Sequence, residues 1–515
     1  MGVVLPATLP CPRAFFLFHR HPCAFIVPFM SLRLHNTLTR AVEPISTSQP
    51  DGVFRMYCCG LTVWNAGHIG NFRTFVVQDV LRRALEIELG RGKVQHARNI
   101  TDVDDKTIRE SQAEGKALVE FTQQWTKKFQ ADCVALNLLP VHFEPGAIEH
   151  IPAQIKLIEQ LLKNGHAYRA DDGSVYFKVS SFAKYGQLSH LKLEELETQN
   201  DNSAGQANTA DEYSREHVAD FALWKARKPE DGPNYWPSPF GEGRPGWHIE
   251  CSAMIEEIFD GKTIDLHGGG VDLMFPHHEN EVAQSCCAHD GDAGYAFVKH
   301  WFHSAHLLVD GRKMSKSLGN FYTLEDIQKK GYAPVVLRYA LIAGHYRSPL
   351  NFTLHGLDAA QSAVQKLDKH LQALALRAAG DATKAKDTIA RLKKSASEAL
   401  RWGRFAAAWA LLEDDLNVPG ALGEIFKVEP KTSTVEQAME DLEGLIKIAV
   451  FALGLDLPLP VVQVEVPLEI ADLAKQRWDA KQAKDFAKAD TLRKELTARG
   501  WKILDRKDGY GVEKE

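Results

Sequence analysis

Cysteine is scarce. The 515 residues contain 8, at positions 11, 23, 58, 59, 133, 251, 286 and 287. That is too few for a disulfide scaffold of this length, and the few close neighbours suit metal ligation or reduced thiols better. No apolar run reaches the ~18 residues that a membrane span requires. Positive charge is not in excess either: 61 Lys and Arg against 67 Asp and Glu leave a net charge of −6. This argues against a protein that coats nucleic acid non-specifically, though not against a local basic face. Two familiar nucleotide motifs are missing. Gly261-Lys262-Thr263 resembles the end of a phosphate loop, but Glu256 stands where its first glycine belongs. Gly268-Gly269-Gly270 lacks the spacing of a dinucleotide fingerprint.

What is present is an ordinary globular balance, 44% hydrophobic and 25% charged, which excludes a mainly disordered or collagen-like chain. The length implies about three domains. Residues 1–30 stand apart, with no Asp or Glu and with prolines at 6, 10, 12, 22 and 28. Those prolines oppose an amphipathic targeting helix. The stretch reads as an extended start ahead of Met30.

Val53–Cys59 is a continuous apolar run ended by Gly60 and predicts a buried strand. From Ile69 to Leu89, Phe75, Val80, Leu81, Ala84 and Leu85 fall at helix-face spacing. Lys93–Ile100 then predicts a second strand. Strand, helix and strand within about fifty residues make a βαβ unit, and hence a parallel sheet. Helices are expected over 116–136 and 146–164, with a short strand pair around Ser174–Lys178. Residues 197–211 form a polar loop. Residues 355–455 are rich in Ala, Leu, Lys and Glu and predict a helical bundle. Leu457-Pro458-Leu459-Pro460 reads as a linker, and 467–499 as one more helical stretch before a short tail. Residues 471–515 carry +3 against −9 for the rest, a weak pointer to a polyanionic partner.

Three constellations have chemical potential. Gly67-His68-Ile69-Gly70-Asn71 lies where the first strand meets its helix, and a helix N-terminus with small residues suits a phosphate. Lys313-Met314-Ser315-Lys316-Ser317 places two lysines three apart between hydroxyls, a pattern that can wrap a triphosphate. The third set is dispersed. Cys59 ends a strand, Cys251 follows Trp247-His248-Ile249-Glu250, and His277 and Glu281 are four apart on one helix face. Two thiolates, an imidazole and a carboxylate suit Zn²⁺. Spacing leaves two choices open here: His278 with Glu281 in place of His277, and Cys58 in place of Cys59.

Taken in order, these segments resemble the cysteinyl-tRNA synthetase family of class I aminoacyl-tRNA synthetases. The resemblance runs from about Leu32 to the C-terminus. It is carried by His35–Arg40, Cys59–Val63, Gly67–Gly70, Arg98–Lys106, Asp220–Lys225, Gly243–Met254, His267–Glu281 and Lys313–Asn320. The resemblance implies an α/β fold: a Rossmann-type parallel sheet over 31–355, split by an insertion at about 128–245. A helical bundle over 356–460 and a small anticodon-binding domain over 461–515 follow. It implies catalytic roles for His68, Lys313 and Lys316, and phosphate contacts from His68, Gly70, Asn71 and Lys316. It implies zinc ligands Cys59, Cys251, His277 and Glu281, and a cysteine pocket at Thr62, Thr101, Trp247 and His267. ATP with Mg²⁺, L-cysteine and tRNA(Cys) are the implied partners, in a cytoplasmic monomer. Asn71 departs from the second histidine that often closes the family's phosphate signature, and a modest effect is expected.

The reaction implied is formation of cysteinyl-adenylate followed by transfer to tRNA(Cys), with zinc selecting thiol over the hydroxyl of serine. Four protein ligands normally close a zinc site, so such an ion must accept a fifth ligand or release one. Two alternatives use the same residues. One is a ligase joining cysteine to an amino sugar, which would lack the C-terminal pattern Asp485-Phe486, Ala489-Asp490, Arg493, Leu496 and Leu504-Asp505. The other is a catalytically inactive tRNA-binding paralogue, against which both lysines and all four ligand positions argue.

Overall fold

The computed structural model describes residues 31–191, 220–289, 295–314, 319–396, 398, 402–430, 434–457, 467–506 and 509–514. Residues 1–30, the 197–211 loop, most of the 457–460 linker, and Lys316 lie outside the described residues. The chain divides into two compact units, Met1–Asp456 and Leu457–Glu515.

Chain order in the first unit begins with a short antiparallel pair, β1 (Arg33–Asn36) and β2 (Ala41–Pro44). The sheet that positions the site starts with β3 (Phe54–Thr62). Its first six residues are buried whichever way they point, as a strand covered on both faces requires. Helix α1 (Ile69–Leu89) returns the chain to β4 (Val94–Thr101), parallel to β3. Then come α2 (Asp105–Ala113), α3 (Leu118–Ala135) and α4 (Ile151–Lys163).

The region expected as an insertion builds its own antiparallel sheet, in the order β5 (Ala167–Arg169), β6 (Val175–Phe177), β7 (Phe221–Ala226), β8 (Gly243–Pro245). Phe177, Leu223 and Trp224 bury against Leu161 of α4 and Ile249 of α5 (Trp247–Ile258) in one apolar cluster. The main sheet resumes with β9 (Ile264–Gly270), then α6 (Glu279–Ala288) and β10 (Val298–Ser304). The four parallel strands lie in the order β10-β9-β3-β4. The sheet therefore grows both ways from β3, with β4 on one side and the later β9 and β10 on the other. In such sheets a crevice opens beyond the carboxyl ends of the strands where the growth changes side.

A small sheet of β11 (Leu307–Val309), β12 (Arg312–Lys313) and β13 (Leu350–Phe352) brackets α7 (Leu324–Lys329) and α8 (Pro334–Ile342). The helical region is α9 (Leu354–Ala379), α10 (Ala382–Lys394), α11 (Ala406–Glu413), α12 (Val418–Lys427) and α13 (Val435–Leu445), with a π-helical turn at Ile446–Ala452.

The second unit differs from the single helix expected over 467–499. It has two helices, α14 (Leu468–Gln482) and α15 (Phe486–Ala498), and a hairpin of β14 (Trp501–Arg506) and β15 (Gly509–Lys514). The break falls at Lys484, whose φ is +60°, and at Asp485, whose carboxylate caps α15 by accepting from the Lys488 N–H. A capping carboxylate restarts a helix where periodicity alone runs through.

Candidate active site

The carboxyl ends of β3, β4, β9 and β10 supply Thr62, Thr101, Gly270 and Ser304 to one cavity of about 540 Å³. The same cavity is lined by Cys59, Cys251, His277, Trp247, His68, Gly70, Asn71 and Lys313. Two sequence-predicted residues are not on this wall. Glu281 and His267 are fully buried behind it, with His267 Nε2 at 2.8 Å from Glu281 Oε2. His267 thus contacts a candidate ligand rather than the cavity in which a cysteine would lie.

At the start of α1, His68 is the N-cap. Its Nδ1 accepts from the Asn71 N–H at 3.2 Å, and Asn71 Oδ1 accepts from the His68 N–H at 3.0 Å. This reciprocal box satisfies two donors that a helix N-terminus leaves over. Burial pushes the His68 pKa down to about 4, with Asp272 opposing. A neutral ring whose Nδ1 accepts carries its proton on Nε2, so His68 can donate to a phosphate oxygen. Gly70 is needed for close approach: a side chain there would run into the His68 ring. The Phe321 ring packs edge-on to His68, and the Tyr322 carbonyl accepts from the Ile69 N–H at 2.9 Å. The chain just after the lysine-rich loop is thereby fastened to the start of α1.

The thiol and imidazole donors converge because strand alternation sorts the two neighbouring cysteines. Tyr57 of β3 is in register with His267 of β9 and Cys58 with Gly268. Cys58 accordingly packs against Gly268, and Cys59 points the other way with Tyr57. The β3–β4 register slips between Cys58 and Leu61. Gly60 sits in that irregularity, where the Asn99 carbonyl occupies the space of a side chain. Cys59 Sγ lies 3.8 Å from Cys251 Sγ and 3.8 Å from Glu281 Oε1. His277 Nε2 is 3.1 Å from Glu281 Oε1. The four ligand atoms all lie within 4.8 Å of one another, and all four residues are buried.

The electrostatics of this cluster are those of buried groups that set one another's charge. Burial raises Glu281, but His267 and His277 outweigh it and leave the carboxyl at about 2. Burial likewise opposes Cys251, but the hydrogen bond from Cys59 brings it down to about 6, while Cys59 is pushed well up by burial and by Cys251. Burial disfavours a charged His277, yet Glu281 and Cys251 hold its pKa up at about 10. The ring is oriented from behind, with His248 Nδ1 3.1 Å from His277 Nδ1, and Trp247 stacks on it at 4.3 Å between centroids. A buried two-thiol, imidazole and carboxylate set, oriented by outer hydrogen bonds, is the donor chemistry of a tetrahedral zinc position. The residues fit that ion.

Thr101 has its hydroxyl committed in two directions. It accepts from Asn99 Nδ2 at 3.2 Å and donates to the buried Glu250 Oε2 at 3.0 Å. One lone pair remains for a ligand in the cavity. Glu250, Asn99 and His303 were not singled out from the sequence, whereas His278 was left open there as the alternative to His277. His303 lies on β10, in a Trp-Phe-His run with no spacing signal. Glu250 carried one signal, its place directly before Cys251.

Residues 45–362 match the family described as tRNA synthetases class I (C) catalytic domain. A cysteine–tRNA ligase from Opitutus terrae is 53% identical over 94% of this chain and 99% of its own length. Those from Chlamydia muridarum and Protochlamydia amoebophila are 41% and 40% identical, each over 94% of this chain and 100% and 98% of their own lengths. Among solved structures, the fold resembles a Mycobacterium tuberculosis methionyl-tRNA synthetase in complex with methionyl-adenylate. That match has a TM-score of 0.51 and 15% identity over 78% of this chain and 89% of the other. It also resembles the Agrobacterium radiobacter LeuRS of a LeuRS–tRNA–LeuAMS ternary complex, with a TM-score of 0.53 and 13% identity over 79% of this chain and 84% of the other. Sequence identity along nearly the whole chain, together with a parallel sheet that holds the cavity at the carboxyl ends of its strands, establishes that this chain belongs to the cysteine–tRNA ligase family of class I aminoacyl-tRNA synthetases.

Proposed function

We propose that the chain attaches L-cysteine to tRNA(Cys) in two steps at this cavity. One observation carries the reading: a single cavity is lined both by the thiol and imidazole donors and by the capped start of α1 with Lys313. The first group suits a thiol substrate and the second a triphosphate.

In the first step the cysteine carboxylate attacks the α-phosphorus of ATP, forming cysteinyl-adenylate and releasing pyrophosphate. His68 donates through Nε2–H to the phosphate, and Lys313 and Lys316 offset charge on the leaving pyrophosphate, with Mg²⁺ accompanying the nucleotide. The lone pair left on Thr101 suits the substrate ammonium. In the second step a terminal ribose hydroxyl of tRNA(Cys) takes the aminoacyl group and AMP leaves. Zinc, held by Cys59, Cys251, His277 and Glu281, supplies a soft Lewis acid that prefers a thiolate to the hydroxyl of serine. A site whose buried partner goes unmatched by the analogue rejects it by roughly 10⁴-fold or more. Trp247 stacks over His277 at the wall of the cavity. Residues 461–515 bind the anticodon arm, and the enzyme acts as a cytoplasmic monomer. Among the described residues no helix is long and apolar enough to cross a membrane.

The test is ATP–pyrophosphate exchange with cysteine or serine, before and after Cys251→Ser. Exchange should depend on cysteine, be negligible with serine and collapse in a still-folded variant. Absence of exchange in zinc-loaded wild-type protein would refute the reading. Exchange that survives Cys251→Ser with selectivity intact would confine zinc to a structural role.

A further inference from the structure

Sequence spacing could not decide between His277 and His278 as partners of Glu281. In the folded chain both are brought to the same place. His278 Nε2 lies 3.2 Å from Cys59 Sγ. His267 Nε2 lies 2.8 Å from Glu281 Oε2. The ligand atoms of Cys59, His267, His278 and Glu281 all lie within 4.8 Å of one another, and all four residues are buried.

The supports behind the two histidines are alike. His277 has its Nδ1 held by His248. His278 has its Nδ1 held by His303 Nε2 at 2.7 Å, and His303 Nδ1 is held in turn by Thr37 Oγ1 at 2.7 Å. With protons donated along that chain, from His278 Nδ1 to His303 and from His303 Nδ1 to Thr37, His278 keeps a lone pair on Nε2 facing Cys59. His267 has no hydrogen-bond partner on Nδ1 among the described residues; its ring is held by Glu281 at Nε2 and by stacking on Trp301 at 4.9 Å between centroids. Neither His267 nor His278 lines the cavity, whereas Cys251 and His277 do.

We propose that Cys59, His267, His278 and Glu281 form a second metal position for a soft divalent cation, overlapping the first through Cys59 and Glu281. It rests on the metal reading given above. The consequence is that the ion stays bound to the protein when Cys251 or His277 gives way, because two further nitrogens stand ready behind the shared donors. A closed four-donor set can then yield one donor to a substrate thiolate without loss of the ion.

The experiment loads full-length wild-type, His277→Ala, His278→Ala and the double variant with Zn²⁺ or Co²⁺ alone. It reads metal per chain and the sulfur-to-cobalt charge-transfer absorption. His277→Gln serves as a second variant should the alanine form fail to fold by circular dichroism. The His277 variants should keep about one metal per chain, with affinity lowered about 10- to 100-fold. Their charge-transfer intensity should be roughly half that of wild type, because one thiolate replaces two. His278→Ala should retain the wild-type spectrum, and the double variant should lose the metal. Metal loss in folded His277→Ala equal to that of the double variant would overturn the second position. So would an undiminished two-thiolate spectrum in His277→Ala. Metal loss in His278→Ala alone would overturn the overlap. A wild-type protein that binds neither ion would refute the metal reading itself, an outcome separate from the others.

Discussion

Asn71 shows how a residue read one way from sequence takes a second duty in the fold. As an amide in a phosphate signature it was expected to donate to phosphate. Its Oδ1 is instead engaged by the His68 N–H, which leaves only the –NH₂ for a ligand. Asn71→Ala should therefore cost about 1 kcal/mol of stability, the usual worth of such a cap, and lower kcat/KM for ATP several-fold as His68 loosens. Asn71→Asp keeps the acceptor and places a negative charge at the positive end of α1, so stability should hold while KM for ATP rises. Urea unfolding and ATP–pyrophosphate exchange on the same two variants separate capping from phosphate contact. His68 itself makes a pH prediction. Burial lowers its folded pKa to about 4, below the unfolded value near 6.5. The neutral ring therefore adds stability above about pH 6.5 that fades as pH falls towards 4. The free-enzyme limb that His68 contributes to kcat/KM for ATP should appear near pH 4, and a limb near 6.5 that vanishes in His68→Asn would contradict this.

At the level of elements, the join between the sheet and the helical region passes through two buried guanidiniums, Arg83, which donates to Phe451 O, and Arg338. Arg338 of α8 is fully buried and donates to Asp79 Oδ2 of α1 at 2.5 Å, to Leu136 O at 2.9 Å and to Leu453 O at 2.8 Å. Burial raises Asp79, but Arg83 and Arg338 outweigh it and leave the carboxyl at about 2. Its contribution, about 2 kcal/mol, is present above the unfolded pKa near 4 and is lost as pH falls from about 4 to 2. Arg338→Met strands two carbonyls and half of that pairing. It should cost about 3–5 kcal/mol in urea unfolding while leaving metal content unchanged. No sequence pattern announced this pin, since an arginine inside an apolar helix looks like any other. The elements were more legible. α1 and β4 fall within a residue or two of where the helical period and Gly90 place them, because each is governed by local pattern, whereas β3 starts where the apolar run does but continues through Gly60 to Thr62. The same holds for the approach of His68 to the cavity, which follows from the strand–turn–helix order. What sequence could not reveal depends on contacts distant in the chain. His278 and His303 meet only because β9 and β10 are neighbours, and Thr101 is oriented by Glu250, 149 residues away. The break at Lys484–Asp485 was readable in principle, as a cap residue before Phe486.

For the molecule as a whole, the proposed function assigns different work to the two units that divide at Asp456–Leu457. Everything that lines the cavity, and both candidate metal sets, lies before residue 457. The second unit has a small core of its own, in which Ile470, Ala474, Leu496 and Trp501 bury together. It also carries the positive end of an otherwise acidic chain. Adenylate formation needs only cysteine and ATP, so it should not depend on that unit, whereas transfer needs a tRNA held in place. A chain ended after Asp456 should therefore keep cysteine-dependent ATP–pyrophosphate exchange within a few-fold of the full protein. Its aminoacylation of tRNA(Cys) should fall through a higher KM for tRNA, and the salt dependence of that KM should weaken as basic contacts are removed. Loss of exchange together with aminoacylation in a truncated chain that still binds metal would show that the two units share the first step. Unchanged KM for tRNA would remove the second unit from recognition altogether. Trp501→Ala in the full chain supplies the finer probe. It opens the small core at a cost of about 3–5 kcal/mol to a fully buried site, so tRNA affinity should fall while exchange stays at its wild-type rate.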